Sequence, residues 1–155
     1  WEVYQHAICS MLVLETDHLP AIYRRPLRVA MAVHDIGKLH NTWTPGCHAL
    51  IGAKIWHKWR PKWITDWEAE LITGLVRTHD MLGLMDRGIM NPEYRGAYSP
   101  QEIRDEARAL TGDVMEGLKL MSTVYQADIG SVPALRWLLP LTPLLEQIVI
   151  AGMES

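Results

Sequence analysis

The sequence has little of the features that mark several large classes of protein. Its 155 residues include only two cysteines, Cys9 and Cys47, which form no CxxC pair and no disulfide framework. A reduced, cytoplasmic setting fits this cysteine usage. The net charge is −3, so the chain has no overall basic field for binding nucleic acid. Any contact with a polyanion therefore has to be local.

The chain also lacks an uninterrupted apolar run. Residues 132–153 are mostly apolar, but three prolines and two charged residues interrupt them. A membrane span needs about 20 consecutive apolar residues. We therefore expect no membrane span, and interpret this tail as packed helices or as a face that meets a neighbouring domain of a longer protein.

Composition and periodicity predict one all-α domain over residues 1–155. Because the first residue is Trp1, we expect this domain to have been excised from a longer protein. There is no strand-like alternation, no internal repeat and no low-complexity linker. We expect a bundle of about six or seven helices around a metal site. The predicted helices cover residues 2–17, 26–37, 47–58 and 65–79, then run from residue 99, from 113 to 129, and through a proline-broken tail. Residues 80–98 are interpreted as a long loop.

Polar side chains recur on the apolar faces of these predicted helices. Each of them has apolar neighbours three, four or seven positions away, so its helix directs it toward the core. The residues that share this pattern are His6, His34, Asp35, His48, His79 and Asp128. A single buried histidine is most often satisfied by a backbone carbonyl group, so one such residue would carry little weight.

Buried aspartates carry more weight, because an unpaired carboxylate in a core is costly and must be neutralised, paired or bound to a metal. No Lys or Arg occupies a matching core position, so Asp35, Asp128 and the histidines favour a metal site. Without a metal, two like charges would face each other. We then expect one carboxylate to take up a proton, or the helices to part.

The order His, His-Asp and distant Asp resembles the pattern of the HD-domain metal-dependent phosphohydrolases over nearly the whole chain. The matching stretches are YQHAICSML, VHDIGK, CHALIGAKI, LVRTHDM and QADIGS. Within that superfamily the chain is most similar to the HD domain of bacterial tRNA nucleotidyltransferases, the CCA-adding enzymes. The similarity lies in the short sequence separation between His34 and His48 and in the motifs THDMLG and ADIGS.

The resemblance implies a ligand set for one or two divalent transition-metal ions, Mn, Fe, Co, Ni or Zn. One ion would take His6, His34, Asp35 and Asp128, and a second would take His48 and His79 with Asp35 bridging. Asp35 and Lys38 are the implied catalytic residues. Lys38, just past the helix end, would stabilise charge on the phosphoryl group, and the loop that carries His40 should border the substrate.

The implied function is hydrolysis of phosphate mono- or diesters of nucleotides or RNA ends, as in 2',3'-cyclic phosphodiesterases, 2'-nucleotidases and phosphatases. Two alternatives stay open. First, some HD-fold enzymes are diiron oxygenases that bind iron with the same set of ligands. Second, a non-catalytic HD module could bind RNA or a protein partner.

Two surface features stand apart from this site. Four tryptophans crowd residues 56–67 and could stack a base, although we expect core packing or a domain interface there: Trp56, Trp59, Trp63 and Trp67. Basic residues cluster at Arg24, Arg25 and Arg28 and at Lys54, Lys58, Arg60 and Lys62. We interpret these clusters as solvated helix faces.

Overall fold

The computed structural model describes residues 2–39 and 47–153. Over these residues the chain forms eight α-helices and no β-strand, which confirms the all-α prediction. The α-helices are α1 Glu2–Val13, α2 Arg24–Val33, α3 Cys47–Trp59, α4 Asp66–Thr78, α5 Met81–Met90, α6 Pro100–Thr111, α7 Val114–Gly130 and α8 Thr142–Ala151. Short 3-10 helices cover Ala21–Tyr23, Ile36–Leu39 and Pro133–Leu141.

Two apolar cores lie on opposite faces of α7, the longest of these helices. The first core joins α7 to α2, α3 and α4, around side chains such as Leu27, Ile72 and Val124. The second joins α7 to α5, α6 and α8, around Leu82 and Ile103. Each large apolar side chain buried in this way contributes about 1.5–3 kcal/mol relative to exposure. The two cores therefore fix the helix ends that carry the polar residues.

The predicted helix starts agree with the structure where a capping residue marks them. Thr65 and Glu68 form a reciprocal capping box at the start of α4. Ser99 and Glu102 form the same arrangement before α6, and Asp113 accepts a hydrogen bond from the third residue of α7. Each cap satisfies backbone N–H groups that would otherwise lack a partner.

The prediction of a loop over residues 80–98 is wrong for its first half, because Met81–Met90 is α5. In the sequence alone, the two glycines of this segment indicate a break in helical structure. In the structure, Met81, Leu82 and Met85 are buried in the second core. A Cβ added at Gly88 would overlap the side chain of Ala97, so this glycine serves close packing rather than a turn. Tertiary burial overrides the local propensity here.

Two predicted helices end earlier than expected. The first stops at Val13 rather than at residue 17, and the second stops at Val33 rather than at Gly37. The chain then tightens into the 3-10 helix Ile36–Leu39, which packs against α3. A Cβ added at Gly37 would overlap the carbonyl oxygen of His48 and lie 2.8 Å from the amide nitrogen of Gly52. Only glycine permits this approach, which brings the start of α3 beside Asp35.

The apolar tail forms the 3-10 helix Pro133–Leu141 followed by α8. Leu145 and Val149 of α8 are buried in the second core. By length and composition alone, Pro133–Ala151 would be long and apolar enough to cross a membrane, with a mean hydropathy of 1.3 and 17% of its most apolar window buried. The expected absence of a membrane span therefore stays a prediction.

The crowded tryptophans divide into one buried and three exposed side chains. Trp56 is 6% exposed and donates its indole N–H to the carbonyl oxygen of Ala69 at 3.3 Å. Trp59, Trp63 and Trp67 are exposed. Core packing is therefore confirmed for Trp56, whereas a domain interface stays a prediction for the other three.

Candidate metal centre

The polar residues singled out in the sequence meet at one end of the bundle. They arrive on five separate helices or helix ends: His6 on α1, His34 and Asp35 just after α2, His48 in the first turn of α3, His79 just after α4, and Asp128 in the last turn of α7. His34, Asp35 and His79 are each at most 3% exposed. The structure thus gathers all of the proposed ligands, while their role as ligands stays a prediction.

Asp35 lies at the middle of the cluster. One oxygen, Oδ2, is 3.6 Å from Nε2 of both His6 and His34. The other, Oδ1, is 3.4 Å from Nε2 of His48 and 3.5 Å from Nε2 of His79. Oδ1 is also buried without a hydrogen-bond partner among the described residues. Each oxygen therefore faces its own pair of imidazoles, which is the placement that a bridging carboxylate needs.

Asp128 completes the first of these two pairs. Its Oδ1 lies 2.7 Å from Nε2 of His6 and 3.5 Å from Nε2 of His34. The side chain comes from α7, 93 residues along the chain from Asp35 (128 minus 35). Two carboxylates and two imidazoles therefore converge on one side of the cluster.

The hydrogen bonds of the inner histidines determine which ring nitrogen carries the proton. Nδ1 of His34 lies 2.7 Å from the carbonyl oxygen of Met31, and Nδ1 of His79 lies 2.7 Å from that of Val76. A carbonyl oxygen only accepts, so Nδ1 must donate. In the neutral ring the lone pair is then on Nε2, which is the atom directed at the cluster.

His6 is oriented by a hydroxyl group rather than by a carbonyl group. Ser131 donates to the backbone oxygen of Asp128 at 2.7 Å and accepts from Ser10 at 3.1 Å. Nδ1 of His6 lies 3.0 Å from the same hydroxyl oxygen and must donate to it, since the hydroxyl proton is already used. In its neutral form, His6 therefore also directs an Nε2 lone pair at the cluster.

These nitrogens approach one another closely. Nε2 of His6 lies 3.2 Å from Nε2 of His34, and Nε2 of His48 lies 3.1 Å from Nε2 of His79. Two facing lone pairs at this distance repel unless a proton or a cation lies between or beside them. Ligand atoms of Asp35, His48 and His79 lie within 4.8 Å of one another, as do those of His6, His34 and Asp35. The donor set fits metal ions.

The neighbouring imidazoles favour the ionised form of both carboxylates, which argues against the uptake of a proton by either of them. Burial alone would raise the pKa of Asp35, but the close approach of His79, the charges of neighbouring imidazoles and a hydrogen bond from Lys38 hold it well below its usual range. Burial also opposes ionisation of Asp128, and the hydrogen bond from His6 together with the charge of His34 outweighs it. The imidazoles, which the expectation left out, neutralise the carboxylates.

The protons are carried by particular histidines. Burial alone would lower the pKa of His79, but the contact with Asp35 at 3.5 Å and the other nearby carboxylates raise it to about 9. The hydrogen bond to Asp128 raises the pKa of His6. Burial and the adjacent charge of His79 lower the pKa of His48. Protons thus take the place that cations would occupy, and they must leave when a metal binds.

Lys38 lies at the rim of the cluster. Its Nζ is 2.7 Å from Oδ2 of Asp35, and its side chain is 47% exposed. The 3-10 helix Ile36–Leu39 places it there, one turn after Asp35. A half-exposed ammonium group beside the central carboxylate is accessible to an anionic substrate. His40, the other predicted substrate-binding residue, lies outside the described residues.

Sequence reasoning missed one carboxylate beside the centre, Asp80. Its Oδ2 lies 3.9 Å from Nε2 of His48, and its Oδ1 is buried without a hydrogen-bond partner among the described residues. Asp80 immediately precedes α5 and was assigned to a loop. The available signal was its position directly after His79, a second His-Asp pair in the sequence.

Comparison with known proteins gives two distant relatives. Both are described as bifunctional uridylyltransferase/uridylyl-removing enzymes. The protein from Cereibacter sphaeroides is 31% identical over 117 residues, and the one from Ruegeria pomeroyi is 29% identical over 138 residues. These matches cover 75% and 88% of the chain but only 11% and 14% of the relatives. The activities in that name therefore belong to much longer proteins.

No protein-family model matches the chain, and no solved structure matches it.

Proposed function

We propose that the chain is a metal-dependent phosphohydrolase that cleaves phosphate mono- or diesters of nucleotides or RNA ends. The observation that carries the proposal is the convergence of imidazole Nε2 atoms on Asp35, with three of the rings held in one tautomer by hydrogen bonds at Nδ1. Facing lone pairs repel each other, so a cluster whose only role was to stabilise the fold would not require them.

The donor atoms define which ions would fit. His6, His34, Asp35 and Asp128 would hold one ion, and His48 and His79 would hold another with Asp35 between them. A mixed nitrogen and oxygen donor set suits Mn, Fe, Co, Ni or Zn better than Mg or Ca. When bound, such ions supply Lewis-acid polarisation of a phosphoryl oxygen and activation of water near neutral pH.

The residues of the chain itself have separate tasks in this proposal. Asp35 keeps the two sets of imidazoles at a fixed separation, because each of its oxygens faces one pair. Lys38 exchanges its contact with Asp35 for one with a phosphoryl oxygen, where its charge offsets the charge that develops during substitution. Ser131 holds His6 in the tautomer that leaves Nε2 unprotonated.

The names of the distant relatives support a nucleotide ester as substrate. Removal of a uridylyl group breaks a phosphoester bond between a nucleotide and its carrier, and both relatives carry that activity in their name. We therefore propose nucleotide phosphodiesters, including 2',3'-cyclic nucleotides, ahead of simple monoesters. The closer likeness to the HD domain of tRNA nucleotidyltransferases stays a prediction.

The test is turnover of a substrate panel by protein loaded with Mn or Ni under strict anaerobiosis. The panel contains 2',3'-cyclic nucleotides, 2'-nucleotides, a uridylyl phosphodiester, an aryl monophosphate and deoxynucleoside triphosphates. We expect the nucleotide esters to be cleaved fastest, and Asp35→Asn to abolish cleavage. The matched control is His57→Ala, which removes an exposed histidine of α3 far from the cluster and should leave turnover unchanged.

Two results would contradict the proposal. Product formation that requires oxygen, with an iron-loaded sample consuming O₂, would assign the centre to an oxygenase. No turnover of any ester by protein with a full metal complement would favour a binding module.

A further inference from the structure

Three exposed tryptophans lie within residues 59–67, at the end of the bundle opposite the metal centre. Trp59 is 73% exposed, Trp63 is 61% exposed and Trp67 is 49% exposed. They occupy the last turn of α3, the connecting turn and the first turn of α4. Exposed apolar rings that are concentrated in one region of a surface mark interaction sites. We refer to these three indoles with the adjacent lysines Lys58 and Lys62 as the tryptophan patch.

The positions of α2, α3 and α4 relate this patch to the metal centre. Arg25 at the start of α2 binds Glu68 at the start of α4, and Trp56 near the end of α3 binds Ala69. The opposite ends of the same three helices carry His34, His48 and His79. At about 1.5 Å per residue, the helices separate the two ends by roughly 14–18 Å. The patch is thus a second surface, one helix length from the centre.

Basic side chains that have no acidic partner surround the indoles. Lys58 and Lys62 are exposed, and so is Lys54 one turn earlier on α3. Within the described parts of the chain none of the three forms an ion pair, although other cations do. Glu68 binds Arg25, Asp66 lies 2.8 Å from Arg60, and the exposed Glu70 lies 4.0 Å from His57, so none of these carboxylates pairs with a lysine. The chain is acidic as a whole, so this basic region is local.

Cations and rings are interleaved within the patch. Nζ of Lys58 lies 5.4 Å from the centroid of the Trp59 ring, and Cζ of Arg25 lies 5.8 Å from that of Trp63. The one aliphatic side chain of the connecting turn, Ile64, is buried at 6% exposure. The apolar surface offered to a partner between residues 59 and 67 is therefore aromatic rather than aliphatic.

We propose that the tryptophan patch binds single-stranded nucleic acid, with bases stacked on the indoles and phosphates beside the lysines. Flat aromatic rings alternating with unpaired cations are the combination that binds single strands with little dependence on sequence. A duplex hides the faces of its bases, and an acidic peptide would pair with the lysines but leave the indoles in water. A lipid surface also accepts indoles, but from a helix whose cations lie on the opposite, polar face, whereas here cations and rings are interleaved. This binding does not depend on hydrolysis at the metal centre.

The experiment is fluorescence anisotropy of a labelled oligouridine of about 15 nucleotides titrated with the 155-residue chain. The comparison ligands are a duplex of the same length and vesicles of phosphatidylcholine with phosphatidylserine. We expect the single strand to bind better than either. Its affinity should fall as salt rises from about 50 to about 200 mM, because bound lysines release counterions from the phosphates.

Variants locate the binding. Trp59→Ala and Trp63→Ala should each weaken binding by about 5- to 150-fold, the loss typical of one stacked base. Lys62→Glu should weaken it and lower the slope of log affinity against log salt by about 0.7 or more. The matched controls are Trp137→Ala, which removes an indole that is 66% exposed in the 3-10 helix Pro133–Leu141, and Arg95→Glu between α5 and α6. Both should bind like wild type.

Several outcomes would overturn the proposal. These are no binding of the single strand at low salt, equal binding of duplex and single strand, and equal losses in patch and control variants. Vesicle binding that is stronger than oligonucleotide binding and is lost in Trp63→Ala would assign the patch to a membrane. Sedimentation that shows a dimer dissociated by Trp63→Ala would assign it to a second copy of the chain. Each variant is first checked by its far-UV spectrum and melting temperature.

Discussion

Replacing Asp35 by asparagine nearly preserves the shape of the side chain and removes the charge that faces four imidazoles. Asp35 is 3% exposed, and its Oδ2 lies 2.7 Å from Nζ of Lys38. In chelated protein this charge stabilises protonated His79 and Lys38. Removing a charge-assisted hydrogen bond of this kind costs about 1.5–3 kcal/mol. Because Lys38 is half-exposed and turns to water, we expect the loss to lie toward the lower end.

The assay combines thermal melts, metal analysis and turnover at neutral pH. For a chain of this size about 1 kcal/mol shifts the melting temperature by about 2–4 °C, so a loss of about 1.5 kcal/mol should make chelated Asp35→Asn melt roughly 3–6 °C below chelated wild type. Added metal should stabilise wild type by about 2.7 kcal/mol at a concentration one hundred times Kd. It should leave the variant unchanged, because a bridging carboxylate serves both ions. His57→Ala should respond to metal as wild type does.

Retention of both ions by Asp35→Asn would refute this reasoning, since the carboxylate would then not bridge. A chelated variant as stable as chelated wild type would also refute it, because the charge would then stabilise nothing in the folded protein.

Further predictions concern the second ion, the contact between α3 and the preceding turn, and the start of α4. His79→Ala should keep one ion bound while turnover falls, because only the second set of ligands is broken. Gly37→Ala should lower the melting temperature and the metal content, because its Cβ overlaps the carbonyl oxygen of His48 and displaces α3. Glu68→Gln should melt below wild type at neutral pH. A hydrogen bond from Arg25 lowers the pKa of Glu68 to about 2, so this difference is complete above pH 4.5 and disappears as the pH falls toward 2.

These predictions have separate controls and contradictions. Equal loss of both ions in His79→Ala and Asp35→Asn would contradict the two-ion assignment. Gly83→Ala is the control for Gly37→Ala, because its Cβ would lie 3.4 Å from Tyr125, an ordinary contact. Equal destabilisation by the two glycine substitutions would contradict a specific role for Gly37. A difference between Glu68→Gln and wild type that persists at pH 2 would contradict the ion-pair explanation.

Capping residues made the helix starts predictable, whereas burial decided features that local sequence does not encode. Thr65 with Glu68 and Ser99 with Glu102 marked the starts of α4 and α6 correctly, because a cap depends on residues close together in the chain. The helix α5 was missed because its glycines signal breaks locally, while its methionines and leucines are buried by distant elements. Likewise, no local pattern shows that Gly37 contacts α3.

Apolar neighbours at helical spacing predicted which residues belong to the polar cluster. The division of these residues between two ions followed from the resemblance. Neither the helical spacing nor the resemblance predicts the directions of the hydrogen bonds. The contact of Ser131 with His6 spans 125 positions, and no spacing rule connects the two residues. The expectation that a carboxylate takes up a proton left out the imidazoles for the same reason, because their placement relative to Asp35 and Asp128 depends on how the five helix ends meet.

The central claim, that the cluster around Asp35 binds metal in the folded protein, is tested most directly by a thermal melt of wild type with and without chelator. The sample is first loaded with Mn or Ni and its metal content measured. The account predicts one or two ions per chain and a melting temperature that falls on chelation, because an ion that binds only the folded state stabilises it. A loaded sample whose melting temperature is the same with and without chelator would contradict the account. So would a chain that takes up none of Mn, Fe, Co, Ni or Zn.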